Sequence, residues 1–222
     1  MMLFLVSIFC AFWFLYELKN FPLKINTLIY QNMSDLVSLD LTLEQLISHS
    51  KLQEKNSRLK NFILFLSLPI LSLFLNHYPP TIITIIFILI YLSILDTLYY
   101  LTDSKYVTII FIITLLHLVL FNEYNIYPYI ISLLFTLIFF FLLIQITQFL
   151  LKKEVFGMGD VIILVAISPL FRLEEILLLL LIASLSGLIF ASGYFLVKKE
   201  KLTKLPFIPF ISFSTLLLLI IN

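Results

Sequence analysis

Long apolar runs separated by short polar breaks dominate the chain. Because a helix needs about 20 apolar residues to cross a bilayer, each run is interpreted as one membrane helix. The sixth run is short, and Pro169 is expected to bend its end. The pattern predicts an all-α, polytopic membrane protein with about eight transmembrane helices, at residues 1–16, 61–76, 81–101, 106–121, 128–151, 161–171, 176–197 and 205–221.

The composition indicates the same class of protein. Hydrophobic residues make up 62% of the 222 positions and the mean hydropathy is +1.13, whereas soluble domains are about half apolar. The single cysteine, Cys10, excludes an intramolecular disulfide and a cysteine-rich zinc site. The sequence predicts no metal site and no cofactor.

Basic residues are distributed unevenly between the loops. With eight helices, all of the 14 Lys and Arg residues except Arg172 fall on one side of the membrane. The positive-inside rule makes that side cytoplasmic and places both termini outside. The basic residues within 51–60 are not interleaved with aromatic ones, so membrane-surface anchoring is favoured over nucleic-acid binding.

The polar segment at residues 17–60 divides the chain into two predicted regions. Residues 1–76 form an N-terminal membrane region, in which residues 17–60 are expected to be cytoplasmic, and residues 77–222 form the membrane core. Thr42 and Gln45 have the spacing of a capping box, which predicts a short helix after Thr42. Its apolar face would lie on the inner leaflet, and comprises Leu43, Leu46 and Ile47.

Two acidic residues indicate the chemistry of the membrane core. Asp96 is the only acid inside an uninterrupted apolar run, and Asp160 immediately precedes the sixth run. The predicted topology places both acids on the same side. Two carboxylates held close together titrate jointly, so an ionised one can activate water while a protonated one polarises a peptide carbonyl. The alternative is a proton-coupled transporter, or a protein without enzymatic activity, in which Asp96 alone acts as a relay.

Gly157 and Gly159 flank Met158 immediately before Asp160, in a chain with only 4 glycines. We expect these glycines to adopt backbone angles closed to other residues, so that an extended segment runs beside an extended substrate. A loop-to-helix turn that uses glycine for its shape is an equally good interpretation of this spacing.

Two other patterns predict packing rather than chemistry. Ala183, Gly187 and Ala191 recur every four residues, which favours close approach of a neighbouring helix. His117 lies within the fourth apolar run and is expected to be a hydrogen-bonded packing residue.

At three places the chain resembles the type IV prepilin leader peptidases, membrane aspartic peptidases of bacterial pilus and competence systems. Residues 157–161 (GMGDV) match the family's second catalytic motif. Asp96, followed by Asp103, is similar to the first motif, and residues 205–210 (LPFIPF) resemble a run near the family's C-terminus. The chain departs from the family pattern at Thr102, where proline is usual, at Ile162 for lysine and at Ile208 for glycine.

The resemblance implies an aspartic endopeptidase of the bacterial plasma membrane, with Asp96 and Asp160 catalytic. Such an enzyme removes short basic leaders from prepilin-like substrates at the cytoplasmic face. Gly157, Met158 and Gly159 would contact the substrate. Asp103, nearly in register with Asp96 on a helical face, would steer the cationic leader, or else form a polar helix end beside Lys105.

The resemblance does not extend to the N-terminal region. Many family members carry paired cysteines that bind zinc there, together with an activity that N-methylates the trimmed substrate. This chain has no such pairs, so methylation with S-adenosylmethionine is not expected. Presenilin-type proteases also use Gly-x-Gly-Asp. Their Tyr-Asp signature is absent here, because Leu95 precedes Asp96, and their Pro-Ala-Leu signature is absent as well.

Overall fold

The computed structural model describes residues 2–36, 42–50, 52–53, 58–121, 125–152, 157–199 and 204–221. All regular structure in these ranges is helical, and five of the helices are long and apolar enough to cross a membrane. Three shorter apolar helices accompany them. The prediction of an all-α, polytopic membrane protein is confirmed.

The described ranges contain nine α-helices and one 3-10 turn. In chain order these are α1 (Met2–Leu36), α2 (Leu43–His49), α3 (Arg58–Phe74), α4 (Pro80–Tyr99), α5 (Ser104–Phe121), α6 (Tyr127–Leu151), α7 (Met158–Ile167), the 3-10 turn (Ser168–Leu170), α8 (Leu173–Lys198) and α9 (Ile208–Ile221). The chain separates into two compact units, Met1–His77 and Tyr78–Asn222.

In the first unit, α1 is more than twice as long as the sequence predicted. The predicted helix ended at residue 16, and residues 17–60 were expected to form a separate segment. The helix instead continues to Leu36, and it packs on α3. A buried stripe along its first half continues past Glu17 and Lys19. The stripe comprises Ser7, Ala11, Phe14, Leu18 and Phe21. Residues 37–41, 51 and 54–57 of the predicted segment lie outside the described ranges.

The predicted capping box at Thr42 is present. The backbone N–H of Thr42 donates to Oε1 of Gln45 over 3.1 Å, and the N–H of Gln45 donates back to Oγ1 of Thr42 over 3.5 Å. The predicted apolar positions of α2 are its half-buried ones, namely Leu43, Leu46 and Ile47. The local sequence was therefore sufficient to predict this helix.

In the second unit, α4 lies between α5 and α9, while α7 packs on α5 and α8 packs on α9. Twelve of the 20 residues of α4 are buried, in agreement with apolar residues all round its surface. His117 on α5 shares a hydrogen bond of 2.8 Å with Oγ1 of Thr81 on α4, so its predicted packing role is confirmed. Oγ1 of Thr114 lies 2.8 Å from the carbonyl oxygen of Ala166 and 2.8 Å from that of Phe111 in its own helix, so its hydroxyl joins α5 to α7.

The close helix approach predicted from small residues is present between α8 and α9. Ala183 and Gly187 are buried, while Ala191 is half-buried. A Cβ atom at Gly187 would lie 3.4 Å from Leu205 and 3.5 Å from Phe210. The small residues of α8 thus allow Leu205, which precedes α9, and Phe210, in its first turn, to pack closely against α8.

Candidate active site

Asp96 lies in the last turn of α4 and is 7% exposed. The backbone N–H of Ile208, at the start of α9, donates to its Oδ2 over 3.2 Å. The backbone N–H of Phe207 also interacts with this carboxylate. Two main-chain donors from a distant part of the sequence therefore hold an acid that would otherwise be costly among apolar helices.

Asp160 lies in the first turn of α7, which begins at Met158 with Gly157 as its N-cap. The side chain is half-buried. Its carboxylate is close enough to that of Asp96 for their charges to repel. Among the described residues no group donates a hydrogen bond to the carboxylate of Asp160, in contrast to the anchored Asp96. The two acids therefore share one site, in which Asp160 is the less constrained.

The two glycines before Asp160 are not used for unusual backbone angles, and this expectation was wrong. Gly157 has φ −66° and ψ 123°, and no described glycine has a positive φ. What both positions provide is space. A Cβ atom at Gly157 would lie 2.8 Å from Oδ2 of Asp160, so alanine there would displace the acid.

Gly159 brings the loop after α4 into contact with α7. A Cβ atom at Gly159 would lie 2.9 Å from the Cβ of Thr102 and would overlap its Oγ1. Thr102 lies in the loop between α4, which carries Asp96, and α5. Close packing across this glycine therefore brings the two acidic segments together.

Asp103 is not on a helical face shared with Asp96, because α4 ends at Tyr99 and Tyr100 adopts a left-handed conformation with φ 54°. Asp103 precedes α5 instead, and its Oδ1 accepts a hydrogen bond of 3.0 Å from the backbone N–H of Lys105. It is 7% exposed. The polar helix end beside Lys105 is the interpretation that this geometry supports.

Met158 and Gly157 are exposed, whereas Gly159 is half-buried and Asp103 is buried. The side chain of Met158 is 60% exposed, and Ile162, one turn further along α7, is 48% exposed. Both side chains project from the half-buried Asp160 segment, on a part of α7 that its neighbours leave uncovered. Phe156 and residues 153–155, which precede this segment, lie outside the described ranges.

Sequence reasoning did not find the partner of Asp96. The run at residues 205–210 was recognised only as resembling a run near the family's C-terminus, and no contact with Asp96 was predicted from it. The last helix begins at Ile208 rather than 205, since Pro206 disfavours helical geometry before it. The N–H groups left free at this start are the ones that meet Asp96.

Residues 83–192 match the model of the Type IV leader peptidase family. The chain belongs to this family. The matched range, about half of the chain, includes both acids, both glycines before Asp160 and Asp103. Searches of curated proteins and of solved structures give no match. Membership of this family identifies a multi-pass membrane protein of the leader peptidase type, a protease in its general class.

Two departures from the leader peptidase pattern have a structural explanation. Ile208 replaces a usual glycine, yet only its backbone N–H meets Asp96, and its side chain is buried at 1% exposure. Thr102 replaces a usual proline and packs against Gly159. Neither change removes an atom that contacts the two acids. Nothing in the structure explains Ile162, which stands where lysine is usual.

Proposed function

We propose that this leader peptidase is an aspartic endopeptidase that uses Asp96 and Asp160 to remove short basic leaders from prepilin-like and pseudopilin-like precursors. The reaction would take place at the cytoplasmic face of the bacterial plasma membrane. The observation that carries this proposal is the electrostatic contact between two acids that lie on different helices. The family match supports the substrate class.

The chemistry follows from holding two carboxylates in one site. In a setting of low dielectric constant, two such groups do not both ionise at neutral pH, and one proton is retained by the pair. The ionised member takes a proton from water as the water attacks the peptide carbonyl. The protonated member donates to the carbonyl oxygen, which stabilises the charge that develops there.

The environments of the two acids differ in a way that suits this reaction. Asp96 is anchored by the main chain at the start of α9, so one side of the site has fixed geometry. Asp160 accepts no hydrogen bond from any described group, which leaves its carboxylate free to bind water or substrate. Met158 is exposed beside Asp160 and Gly157 has an extended backbone, and we propose that both contact a substrate strand.

Co-expression of the full chain with a prepilin, followed by mass analysis of the product N-terminus, tests this proposal. The wild-type chain should release the leader without methylating the new N-terminus. Asp96→Asn and Asp160→Asn should each reduce cleavage by roughly 10³-fold or more, with membrane insertion unchanged. Glu174→Gln is the matched control, since Glu174 is an exposed acid in the first turn of α8, and it should cleave normally.

The same variants separate peptidase from transporter. A relay through Asp96 alone requires neither Asp160 nor the glycines before it. Normal cleavage by Asp160→Asn, or an intact leader in the presence of wild-type chain, would refute the acid pair as the peptidase site.

A further inference from the structure

A pair of serines joins α4 to α9 close to the Asp96 anchor. The Oγ atoms of Ser93 and Ser212 are 2.6 Å apart. Oγ of Ser93 lies 2.7 Å from the carbonyl oxygen of Leu89, and Oγ of Ser212 lies 3.2 Å from the same oxygen. Oγ of Ser212 also lies 2.9 Å from the carbonyl oxygen of Ile208. Each hydroxyl can therefore donate and accept within this cluster.

The serine pair lies one turn away from the anchor on both helices. Ser93 precedes Asp96 by three residues, and Ser212 follows Ile208 by four, which correspond to rises of about 4.5 Å and 6 Å along the helix axes. At the other end of the same helix pair, the hydroxyl of Tyr78 donates to the carbonyl of Leu219. The two helices therefore run antiparallel, with the serine pair and the anchor at adjacent levels.

We propose that Ser93 and Ser212 are positioning residues, which set the register of α9 against α4 so that the N–H of Ile208 meets the carboxylate of Asp96. This inference rests on the peptidase function proposed above and identifies what orients one of its acids.

The physical reason lies in the composition of the two helices. Most of their contact surface is Ile, Leu and Phe, whose dispersion contacts change little when one helix slides along another. A slip of one residue moves the backbone by about 1.5 Å, which is enough to separate Ile208 from Asp96. Two hydroxyls in mutual hydrogen bonding stabilise one register, because displacement breaks the bond between the helices and leaves each hydroxyl with only the carbonyl four residues back in its own helix.

Ser214 provides a matched control on the same helix. It is buried, and among the described residues its Oγ donates to the carbonyl of Phe210 alone, four residues back in its own helix, over 2.7 Å. Ser214→Ala removes a hydroxyl of the same kind without touching the contact with α4.

The first test does not depend on peptidase activity. In full-length chain carrying Asp160→Asn, the carboxyl infrared band of Asp96 is identified by subtracting the spectrum of Asp96→Asn. Ser93→Ala and Ser212→Ala should each shift this band, because the hydrogen bond from Ile208 is lost, and Ser214→Ala should leave it in place. An unshifted band in both pair variants would overturn the proposal.

The second test measures cleavage kinetics of the full chain with a prepilin substrate in proteoliposomes. Ser212→Ala should lower kcat about tenfold with KM unchanged, since misplacing a reacting group by about 1 Å costs up to a hundredfold. Ser212→Thr, which keeps the hydroxyl, should restore kcat, and the double alanine variant should be no worse than either single one. An equal loss of kcat in Ser214→Ala would overturn the positioning role. If the serine variants shift the infrared band but the wild-type protein cleaves no prepilin, the positioning role stands and the proposed peptidase function is refuted.

Discussion

The backbone N–H of Ile208 donates to Oδ2 of Asp96 over 3.2 Å and joins residues that are 112 positions apart in the sequence. The donor is a main-chain group, so the side chain of Ile208 does not take part in this bond and is buried in the apolar core. Isoleucine can therefore stand here, where the family pattern usually has glycine, without loss of the hydrogen bond to Asp96. The position of one acid thus depends on where α9 begins.

Gly157→Ala is expected to damage the site without unfolding the protein. The new Cβ atom would lie 2.8 Å from Oδ2 of Asp160, and the carboxylate would have to rotate away. We expect the initial rate of prepilin cleavage to fall about tenfold or more, with the melting temperature close to that of wild type. Gly193→Ala is the control, because no atom lies within 4 Å of the added methyl, and it should cleave at the normal rate. A normal rate for Gly157→Ala would contradict the prediction.

Gly159→Ala should weaken the contact between the loop after α4 and α7. Its Cβ would overlap Oγ1 of Thr102, and overpacking of this kind costs about 1–3 kcal/mol. Removing that oxygen by Thr102→Ala should recover part of the lost stability and activity. Thermal unfolding and cleavage rates of both single variants and the double variant measure the coupling. If the two effects simply add, then Thr102 is not what Gly159 accommodates.

The structure places Asp103 as a cap of α5, and its variants test the steering of a basic leader that the family resemblance implies. Asp103→Asn keeps an oxygen that can cap α5, so the melting temperature should hold, but loss of the charge should raise KM for a basic leader. Asp103→Ala removes the cap as well, which costs about 1 kcal/mol of unfolding free energy. Steady-state kinetics at low salt, combined with thermal unfolding, measure both effects. An unchanged KM in Asp103→Asn would limit this residue to capping.

The hydrogen bond from Thr114 to Ala166 should contribute to the stability of the membrane core. Thr114 is fully buried and its Oγ1 reaches the neighbouring helix α7. Thr114→Val keeps the shape but removes the donor, and should lower the unfolding free energy by about 1 kcal/mol. Unfolding in mixed micelles measures the difference. Thr108→Val is the matched control, because exposed Thr108 bonds only to Ser104 in its own helix, and it should match wild type.

Local patterns in the sequence were enough for the helices and for the capping box at Thr42. Apolar periodicity and end signals act over a few residues, so they predict where a helix exists. They failed for the end of α1, because the helix continues beyond its apolar run and through its charged residues to Leu36. They failed also for Asp103, whose expected register with Asp96 was lost when Tyr100 ended α4 in a left-handed conformation.

The sequence by itself determined that this chain is an all-α membrane protein and singled out Asp96 and Asp160. The thickness of the bilayer and the cost of placing a charge in lipid constrain each segment separately, so both can be recognised from local sequence. Only the tertiary structure decided what surrounds those acids: the backbone donor from Ile208, the space left by Gly157 and the contact between Gly159 and Thr102. The contacts of Ile208 with Asp96 and of Gly159 with Thr102 join segments far apart in the chain. They depend on the packing of several helices at once, which no local pattern of residues encodes.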